Sequence, residues 1–459
     1  MRHEMPIAER RGPKRLIETD VPRSREELEA IARRALSFAT ADETRINIGS
    51  GWEGNTRFAV SEITTSGGVT DLTVTVTSTV GRRQASATTN LTDDAGLRRT
   101  VELSERLARL SPEDPELVAE LGPQQYPDVD AFARATADLS PEARATAAQR
   151  VIEAAHAQGG AGLEISGFLS ANAGASAVAT SKGLFAYHPQ TSTGLSATAR
   201  TDDGTGSGWA ATGSRDWSDV DAAALGRRAA EKAVASRNPQ AIEPGRYTVI
   251  LEPNAVASLV PLLMGSFNAR SADEGRSAFA KPGGGNRIGE KIADERVTLY
   301  SDPVELRAQP FANDGAPTGR VVWIGNGVLR SLNYDRYWAE RQGVPRTPAG
   351  GGLKMNGGTS SLDEIIAGTQ RAILVTRLWY IRSLDQRTVL VTGLTRDGTF
   401  LVENGRITRS LKNFRWNDSP LFLLNKIEEL GWPQPTGASQ VMPAIKARDF
   451  EFASISDAV

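Results

Sequence analysis

The sequence predicts an α+β fold, with an N-terminal α/β domain of two helix–antiparallel-strand–helix units followed by a β-rich C-terminal domain. Three observations lead to this prediction. The chain of 459 residues is long enough for two or three domains. Helix and strand patterns occur twice in the same order before residue 236, and strand patterns dominate from about residue 295 onward.

The first unit opens with a helix that begins after Ser24. Ser24 and Glu27 form the S-x-x-E pattern of a capping box, and apolar residues then recur at helical spacing. A second helix is predicted from about Asp93 to Leu110. Between the two helices, the sequence predicts strands at 44–49, 56–61, 72–80 and 84–90.

The second unit repeats this order of elements. Ser140 and Pro141 open a helix to about Ala157, because proline is favoured in the first turn of a helix. A closing helix is predicted at about 219–236. The strands between them are predicted at 162–169, 175–180, 183–188, 193–200 and 207–212. The repeat is one of architecture, because the two units share little residue identity.

The stretch SRNPQAIEPGR at 236–246 marks a domain boundary, because it contains two prolines and a glycine. We therefore predict a flexible N-terminal extension at 1–23, the N-terminal α/β domain at 24–240 and the C-terminal β-rich domain at 241–459.

The second domain is predicted to begin with a buried strand at 247–252 and a short apolar helix at 254–266. Its clearest strand region is 371–416, and closing strands are expected within 441–456. Two dipeptides in the strand region are strong tight-turn signals. They are Asp397-Gly398 and Asn404-Gly405.

Composition and charge exclude several functional classes. The net charge of −2 gives no long-range attraction for nucleic acid or an anionic membrane. The chain has no cysteine and only three histidines, which excludes disulfides and thiolate chemistry and leaves few donors for a zinc site. Oxygen-only sites for magnesium or calcium stay open, although no Asp-x-Asp-x-Asp-Gly run occurs.

The sequence also lacks targeting signals. The start, MRHEMPIAERRGPKRLIETD, has no apolar core, so it predicts no export signal. No stretch reaches the roughly 18 apolar residues that a membrane helix needs. We therefore expect a cytoplasmic protein.

Motifs for nucleotide binding and serine hydrolysis are weak. The Gly-rich segments at 281–289 and 347–361 lack the register of a P-loop, so loops are the better interpretation. GTGSGW at 204–209 has no helix directly after it, as a nucleophile elbow would require. His156 and His188 lie at the ends of a helix and a strand, where structural roles are favoured over catalytic ones.

Aromatic and basic residues alternate in RLWYIR at 377–382 and in NFRW at 413–416. Core packing with cation–π contacts is the favoured interpretation. The same pattern suits a groove in which a peptide adds as an extra strand. Base stacking is a third possibility, but the nearly neutral net charge argues against it.

Several long strings resemble the TldD/PmbA family, whose branches are TldD and TldE, the latter also called PmbA. The resemblance covers about 246–456, and the N-terminal half agrees mainly in its α/β layout. It implies a C-terminal domain of the TldD/PmbA type. The strings are GRYTVILEPNAVASLV, GRSAFA, RIGEKIADERVTLYSDP, TRLWYIRSLDQRTVLVTGLTRDGTFLVENGRI, DSPLFLLNKIEELG and MPAIKARDFEFAS.

The resemblance also implies a metallopeptidase family with a motif that this chain lacks. The TldD branch carries His-Glu-x-x-x-His on a helix, before Gly-x-Ser-Ala-Phe, and a metal-bound water acts as the nucleophile. Counting back from the Ser-Ala-Phe string places these three positions at Val260, Pro261 and Gly265. The chain contains no histidine after His188 and no cysteine to complete a ligand set. We expect no metal in this chain and a zinc-type metal in a partner.

The resemblance therefore implies a non-catalytic TldE-like subunit that pairs with a TldD-type metallopeptidase and helps to enclose an unfolded peptide. A homodimer is possible when the partner is absent, and neither nucleic acid nor a membrane is expected as a partner. The candidate groove residues are Asn268, Arg270, Arg276, Arg377, Trp379 and Tyr380.

Two alternatives stay open. One is a homo-oligomeric peptide-binding or scaffold protein of the same fold. The other is a hydrolase without the usual metal site, for instance one that uses Asp273 and Glu274, although such adjacent acids more often cap a turn.

Overall fold

The computed structural model describes residues 22–456, so nearly all of the extension predicted at 1–23 lies outside the described residues. Within that range, no helix combines the length and the apolar composition needed to cross a membrane. The helices are α1 Arg25–Ser37, α2 Asp94–Leu110, α3 Arg134–Ala137, α4 Pro141–Gly159, α5 Ala222–Ala235, α6 Pro253–Leu259, α7 Ala269–Asp273, α8 Arg336–Gln342, α9 Leu362–Ala367 and α10 Pro420–Leu424, with 3-10 segments at Trp217–Asp219 and Val260–Phe267.

The strands form three sheets. They are β1 Glu43–Ala59, β2 Glu62–Val80, β3 Arg83–Thr89, β4 Glu164–Thr180, β5 Phe185–Arg200, β6 Ser207–Ser214, β7 Gly245–Leu251, β8 Leu299–Ser301, β9 Val321–Gly325, β10 Val328–Leu329, β11 Leu353–Met355, β12 Arg371–Asp385, β13 Leu390–Glu403, β14 Arg406–Ser410, β15 Asn413–Asp418, β16 Ile427–Leu430, β17 Gln434–Gly437, β18 Gln440–Met442 and β19 Ile445–Ser456.

The first sheet confirms the predicted pair of helix–strand–helix units. Its order is β3-β2-β1-β4-β5-β6, and all its pairings are antiparallel. The central β1–β4 pair joins the two units into one sheet. Helices α1 and α2 bury apolar residues against β1 and β2, whereas α4 and α5 form a second core over β4 and β5.

Short sequence patterns correctly predicted where α1 and α4 begin. The predicted capping box of α1 is confirmed, because Ser24 Oγ accepts from the Glu27 amide at 3.2 Å and the Glu27 carboxylate accepts from the Ser24 amide at 2.8 Å. In α4, Ser140 caps the helix and Pro141 occupies its first turn, as predicted.

The predicted breaks inside the strands are wrong. The strands predicted at 44–49 and 56–61 are one strand, β1, and the four predicted within 162–200 are two strands, β4 and β5. The reason is cross-strand glycine pairing. Gly51 lies opposite Gly174, and a Cβ on Gly51 would lie 2.6 Å from the Ala173 carbonyl oxygen. Glycine here permits close approach of two backbones instead of ending a strand.

The second half of the chain contains two further sheets. One has the order β10-β9-β8-β11-β18-β17, and the other β12-β7-β19-β15-β13-β14, with β16 added beside β19. Their shared core includes Trp323, Phe414 and Trp416, all nearly inaccessible to solvent. Together with the first sheet, these elements confirm the predicted α+β fold with a β-rich C-terminal region.

One of the two predicted turns is wrong. Asn404 and Gly405 have positive φ angles of 50° and 78° and connect β13 to β14, as predicted. Asp397 and Gly398 instead lie inside β13, with φ angles of 55° and 125°. The β12–β13 register shifts there, so the two residues form an irregularity within the strand, not a turn between strands. A Cβ on Gly398 would lie 2.7 Å from Thr376 Oγ1.

The apolar helix predicted at 254–266 is shorter than expected. The α-helix ends at Leu259, and the chain continues as a 3-10 segment to Phe267. Pro261 explains this change, because proline has no N–H to donate to the preceding turn. A 3-10 run of eight residues is unusually long, and side chains three residues apart eclipse one another within it.

A buried carboxylate connects the two halves of the chain. Glu252, at the end of β7, is 4% exposed and accepts from Arg228 at 2.9 Å and from Lys232 at 2.8 Å, both on α5. It also accepts from Thr376 of β12 at 3.0 Å. Burial alone would raise the pKa of Glu252, but the two cations hold it below its usual range. Burial lowers the pKa of Lys232 to about 8.

Replacing Glu252 with glutamine removes this charge at nearly constant shape. Lys232, whose side chain is mostly buried, then loses its counter-ion, so we expect the free energy of unfolding to fall by about 3–5 kcal/mol. Urea denaturation measures the change. The matched control is Glu451→Gln, which breaks the exposed Arg246–Glu451 pair and should cost less than about 1 kcal/mol. Equal losses in the two variants would contradict this account.

The two histidines of the sheet region have different surroundings. His156 Nε2 lies 3.0 Å from the Leu163 carbonyl oxygen and 3.3 Å from Ser61 Oγ, so its ring connects α4 to neighbouring chain segments. His188 on β5 is only 3% exposed, and its Nε2 has no hydrogen-bond partner. Burial, together with the positive charge of Arg215, lowers the pKa of His188 to about 4.

This pKa predicts a pH dependence of stability. The pKa of His188 in the folded protein lies below its value of 6.5 in an unfolded chain, so protonation favours unfolding. The stabilisation is complete above pH 6.5 and is lost as the pH falls toward 4. Wild type should therefore lose about 3 kcal/mol more than His188→Asn between pH 7 and pH 4, measured by urea denaturation. Parallel stability curves for the two proteins would contradict the prediction.

Candidate functional site

The hairpin cleft is an open cavity of about 790 Å³ between the 3-10 segment, the turn after α7 and the β12–β13 hairpin. Of the three positions that the sequence analysis assigned to the metal motif, only Gly265 lines it. Its lining residues are Leu262, Gly265, Ser266, Ser271, Arg276, Ser277, Ile381, Ser383, Leu384, Asp385, Gln386, Arg387, Val389 and Val391.

The three motif positions have different environments. Val260 is fully buried and packs in the large apolar core with Leu263 and Phe267. Pro261 is the second residue of the 3-10 segment and is partly exposed. Gly265 is exposed and lines the hairpin cleft, and a Cβ built on it would meet no atom within 4 Å. The cleft is therefore open where a second ligand would be expected.

The donors around this cleft do not fit a zinc-type ion. Zinc takes nitrogen, sulfur and carboxylate ligands, usually four. Across residues 22–456, no three His, Cys, Asp or Glu side chains converge as a metal-binding group. Ser277 Oγ donates to the Ser266 carbonyl oxygen at 2.6 Å, and Asp385 accepts from Thr388 at 2.6 Å and from the Arg387 amide at 3.1 Å. The oxygen atoms of Ser277 and Asp385 are therefore already used in hydrogen bonds that fix the local chain.

Three of the predicted groove residues lie on α7 or next to its ends. Asn268 caps this helix, with its Oδ1 accepting from the Ser271 amide at 2.8 Å. Arg270 donates to both carboxylate oxygens of Glu116, at 2.6 and 2.9 Å, so its guanidinium faces the N-terminal half of the chain. Neither residue lines the hairpin cleft. Arg276 does line it, and its side chain is 58% exposed.

The adjacent acids Asp273 and Glu274 are engaged in local contacts. Asp273 accepts from Asn286 at 2.6 Å and from Trp338 Nε1 at 2.7 Å. Glu274 accepts from Arg270 at 3.0 Å and also from Arg276, and these hydrogen bonds lower its pKa. Both acids therefore fix the turn after α7.

A second cavity, the arginine cleft, follows the hairpin cleft along β12. It has a volume of about 370 Å³, and three of its seven lining residues are arginines, against one carboxylate. Arg377 Nη1 donates to Asp397 Oδ2 at 3.0 Å, and Asp397 is only 3% exposed. The lining residues are Ser166, Thr198, Arg200, Arg377, Trp379, Arg396 and Asp397.

Aromatic rings fix the arginines of this cleft. The Arg377 guanidinium lies 4.7 Å from the ring centroid of Trp209, and that of Arg396 lies 4.3 Å from Trp379. Such cation–π contacts hold a charge in place and leave its edge able to donate. Tyr380 lies next to Trp379, with a positive φ of 53°, and its ring is 54% exposed.

The structure thus divides the six predicted groove residues among four places. Arg377 and Trp379 share the arginine cleft, Arg276 lines the hairpin cleft, and Tyr380 lies on β12 between the two cavities. Asn268 caps helix α7, and Arg270 lies on that helix and binds Glu116. Sequence reasoning missed Arg200, Arg396 and Asp397. Register shifts between the hairpin and Arg377 hide the pairing of Arg377 with Arg396 from a simple count, and Arg200 comes from β5 of the other half.

Comparisons with known proteins agree with this architecture. The family model for the PmbA/TldA metallopeptidase C-terminal domain matches residues 244–454, and the model for the central domain matches 134–237. The crystal structure of TldE from Thermococcus kodakarensis has a TM-score of 0.83 and 20% sequence identity, covering 92% of this chain and 99% of that chain. At this identity, the likeness shows a shared fold.

Two archaeal relatives match parts of the sequence. A protein of Methanothermobacter thermautotrophicus described as a metalloprotease is 25% identical over 231 residues, 45% of this chain and 47% of that protein. An uncharacterized protein of Methanocaldococcus jannaschii is 31% identical over 124 residues, 26% of this chain and 28% of that protein. The chain spans less than half the length of either curated relative. Because the two family models together cover most of the chain, it belongs to the PmbA/TldD metallopeptidase family.

Proposed function

We propose that this chain is a TldE-like, non-catalytic subunit of a cytoplasmic metallopeptidase complex. A TldD-type partner supplies the metal, and this chain supplies the second wall of the chamber that encloses an unfolded peptide. We also propose the division into domains at 24–240 and 241–459, with the linker at 236–246 between the sheets.

The observation that carries the proposal is that the residues at the three motif positions have no side-chain atom that could bind a metal. Val260 is a buried core residue, Pro261 replaces the acid that would activate water, and Gly265 has no side chain. A zinc site contributes roughly 10–16 kcal/mol of binding free energy through donor atoms, and these residues have none to offer. The cleft beside Gly265 nevertheless stays open, which suits a wall that contacts substrate.

Exposed apolar side chains near the hairpin cleft support a role in binding. Leu262, Trp379, Tyr380 and Leu384 are between 37% and 55% exposed, and Leu262 and Leu384 line the cleft itself. Exposed apolar patches bordered by polar groups commonly mark interaction sites. Arg276 and Arg387 are polar groups of this border. We assign this patch to the partner subunit or to the peptide held beside it.

The metal assignment predicts the behaviour of the isolated chain. Purified alone, it should contain only sub-stoichiometric zinc and should not cleave an unstructured peptide. Mixed with a TldD-type subunit from the same organism, it should form a complex that cleaves the peptide, and a chelator should abolish that activity. Elemental analysis, size-exclusion chromatography and a quenched-peptide assay provide the measurements.

Chelator-sensitive cleavage by the isolated chain would overturn the proposal. Self-association without any affinity for a TldD-type subunit would favour the homo-oligomeric scaffold instead. Metal-independent cleavage that Asp273→Asn abolishes would favour the alternative hydrolase.

The patch beside the hairpin cleft can be tested separately. The double variant Tyr380→Ala, Leu384→Ala removes two exposed apolar side chains, so we expect about a tenfold loss of affinity for the partner or the peptide. Fluorescence anisotropy with labelled partner and labelled peptide measures both. The matched control is Leu110→Ala, which truncates a side chain that is 77% exposed on α2. Equal losses in both variants would rule out a specific role for the patch.

A further inference from the structure

A third cavity lies on the face of the first sheet that looks toward the C-terminal half. This glycine-floored cleft has a volume of about 700 Å³ and is closed on one side by Ala438 and Ser439. Its floor includes Gly49, Gly51 and Gly174, so the sheet backbone is accessible there. The cleft is separate from the hairpin cleft and the arginine cleft, because it shares no lining residue with them.

Arg215 forms one wall of this cleft and is only 8% exposed. Its Nη1 donates to the Thr191 carbonyl oxygen at 2.8 Å and lies 3.2 Å from Gln190 Oε1, and its Nη2 donates to Ser439 Oγ at 2.6 Å. Its Nε has no hydrogen-bond partner. Every group that binds Arg215 within the described part of the chain is therefore neutral.

A buried cation without a counter-ion is energetically costly, and proteins normally pair such a charge with an acid. Burial, together with the positive charge of Arg307, lowers the pKa of Arg215 to about 10. Arg144 offers a contrast among the buried arginines. It also has an unbonded Nε. Burial lowers the pKa of Arg144, but the negative charge of Glu142 partly offsets this, and the guanidinium lies 5.8 Å from the centroid of the Trp52 ring.

A neutral imidazole lies near Arg215, because the pKa of His188 is lowered to about 4. His188 lies two residues before Gln190 on β5, and its buried Nε2 has no partner. The two acids that line the cleft, Glu53 and Asp71, belong to β1 and β2. Glu53 shares a row of the sheet with Asn172 and Ser192, which places its backbone roughly 10 Å from that of Ser192 at the usual strand spacing. The cleft thus has Arg215 on one wall and two acids on another.

We propose that Arg215 is the anchor of a carboxylate-binding site, and that the ligand is the carboxylate of a peptide chain lying in the glycine-floored cleft. The carboxylate would accept from the Nη2 hydrogen that the bond to Ser439 leaves free, a charge-assisted hydrogen bond, because the unbonded Nε is itself inaccessible. It could be the C-terminus of the chain or an acidic side chain. The identification of the ligand as a peptide rests on the proposed function, whereas the need for an anion rests on Arg215 itself.

The test uses the full-length chain and three labelled peptides of the same length. The first has a free C-terminus and no acidic residue, the second is its C-terminal amide, and the third is the amide with one internal glutamate. We expect wild type to bind the first peptide at least about tenfold more tightly than the second. Tighter binding of the third than of the second would identify acidic side chains as the source.

Variants separate recognition from structure. Arg215→Gln should bind the three peptides equally, whereas Arg215→Lys should keep part of the preference. Ser439→Ala removes a neutral hydrogen-bond partner of Arg215, and Arg144→Gln removes the other buried arginine. Both variants should keep the wild-type preference for the peptide with a free carboxylate. Loss of the preference in Ser439→Ala to the same extent as in Arg215→Gln would overturn the proposal, as would equal binding of all three peptides by wild type.

Sodium acetate provides an arm that does not depend on peptide binding. Compared with the same concentration of sodium chloride, sodium acetate should raise the midpoint temperature of unfolding of wild type and Arg144→Gln but not that of Arg215→Gln. If no peptide binds but acetate stabilises wild type selectively, the carboxylate site stands and the peptide-binding role fails. If peptides bind without regard to their carboxylates and acetate has no selective effect, the carboxylate site fails and the peptide-binding role stands.

Discussion

The buried carboxylate of Glu252 is the interaction on which the arrangement of both halves depends. It accepts from α5 of the first half and from Thr376 of β12, the residue before Arg377. A charge in this position is stable only while its partners stay in place, because removing one leaves an uncompensated ion in a desolvated region. The contact therefore fixes β12 relative to the first sheet. The arginine cleft needs that fixed relation, since Arg200 comes from β5 and Arg377 from β12.

Sequence reasoning succeeded where the determining contacts are local. Ser24 and Glu27 are three residues apart, and Ser140 and Pro141 are adjacent, so the starts of α1 and α4 have nearby causes. It failed where the determining contact is distant. Asp397-Gly398 has the composition of a turn, but the Asp397 carboxylate accepts from Ser207 of β6 at 2.7 Å, 190 residues earlier in the chain. No local pattern contains that partner.

The same distinction applies to the candidate sites. The resemblance to the family placed the two missing histidines at Val260 and Gly265 and the missing glutamate at Pro261, and Gly265 does line an open cleft. Arg270 was predicted to face a groove, but it binds Glu116, 154 residues away, and that acid carries no pattern to reveal it. Arg215 was missed because its burial depends on Ser439, 224 residues later. Clefts built between distant segments are visible only after the segments are assembled.

The backbone at residues 260–267 extends the argument beyond the missing ligands. A pair of histidines can grip one ion only if the chain directs both side chains to the same side. Here Pro261 leads into a 3-10 segment, in which successive side chains turn by about 120° instead of the 100° of an α-helix. Val260 meanwhile packs into the core beside Leu263, whereas Gly265 opens into the cleft. Histidines introduced at 260 and 265 would start from opposite environments, one in the core and one at the cleft. The departure from a metal site therefore includes the backbone, which agrees with the proposed role as a wall beside a partner's active site.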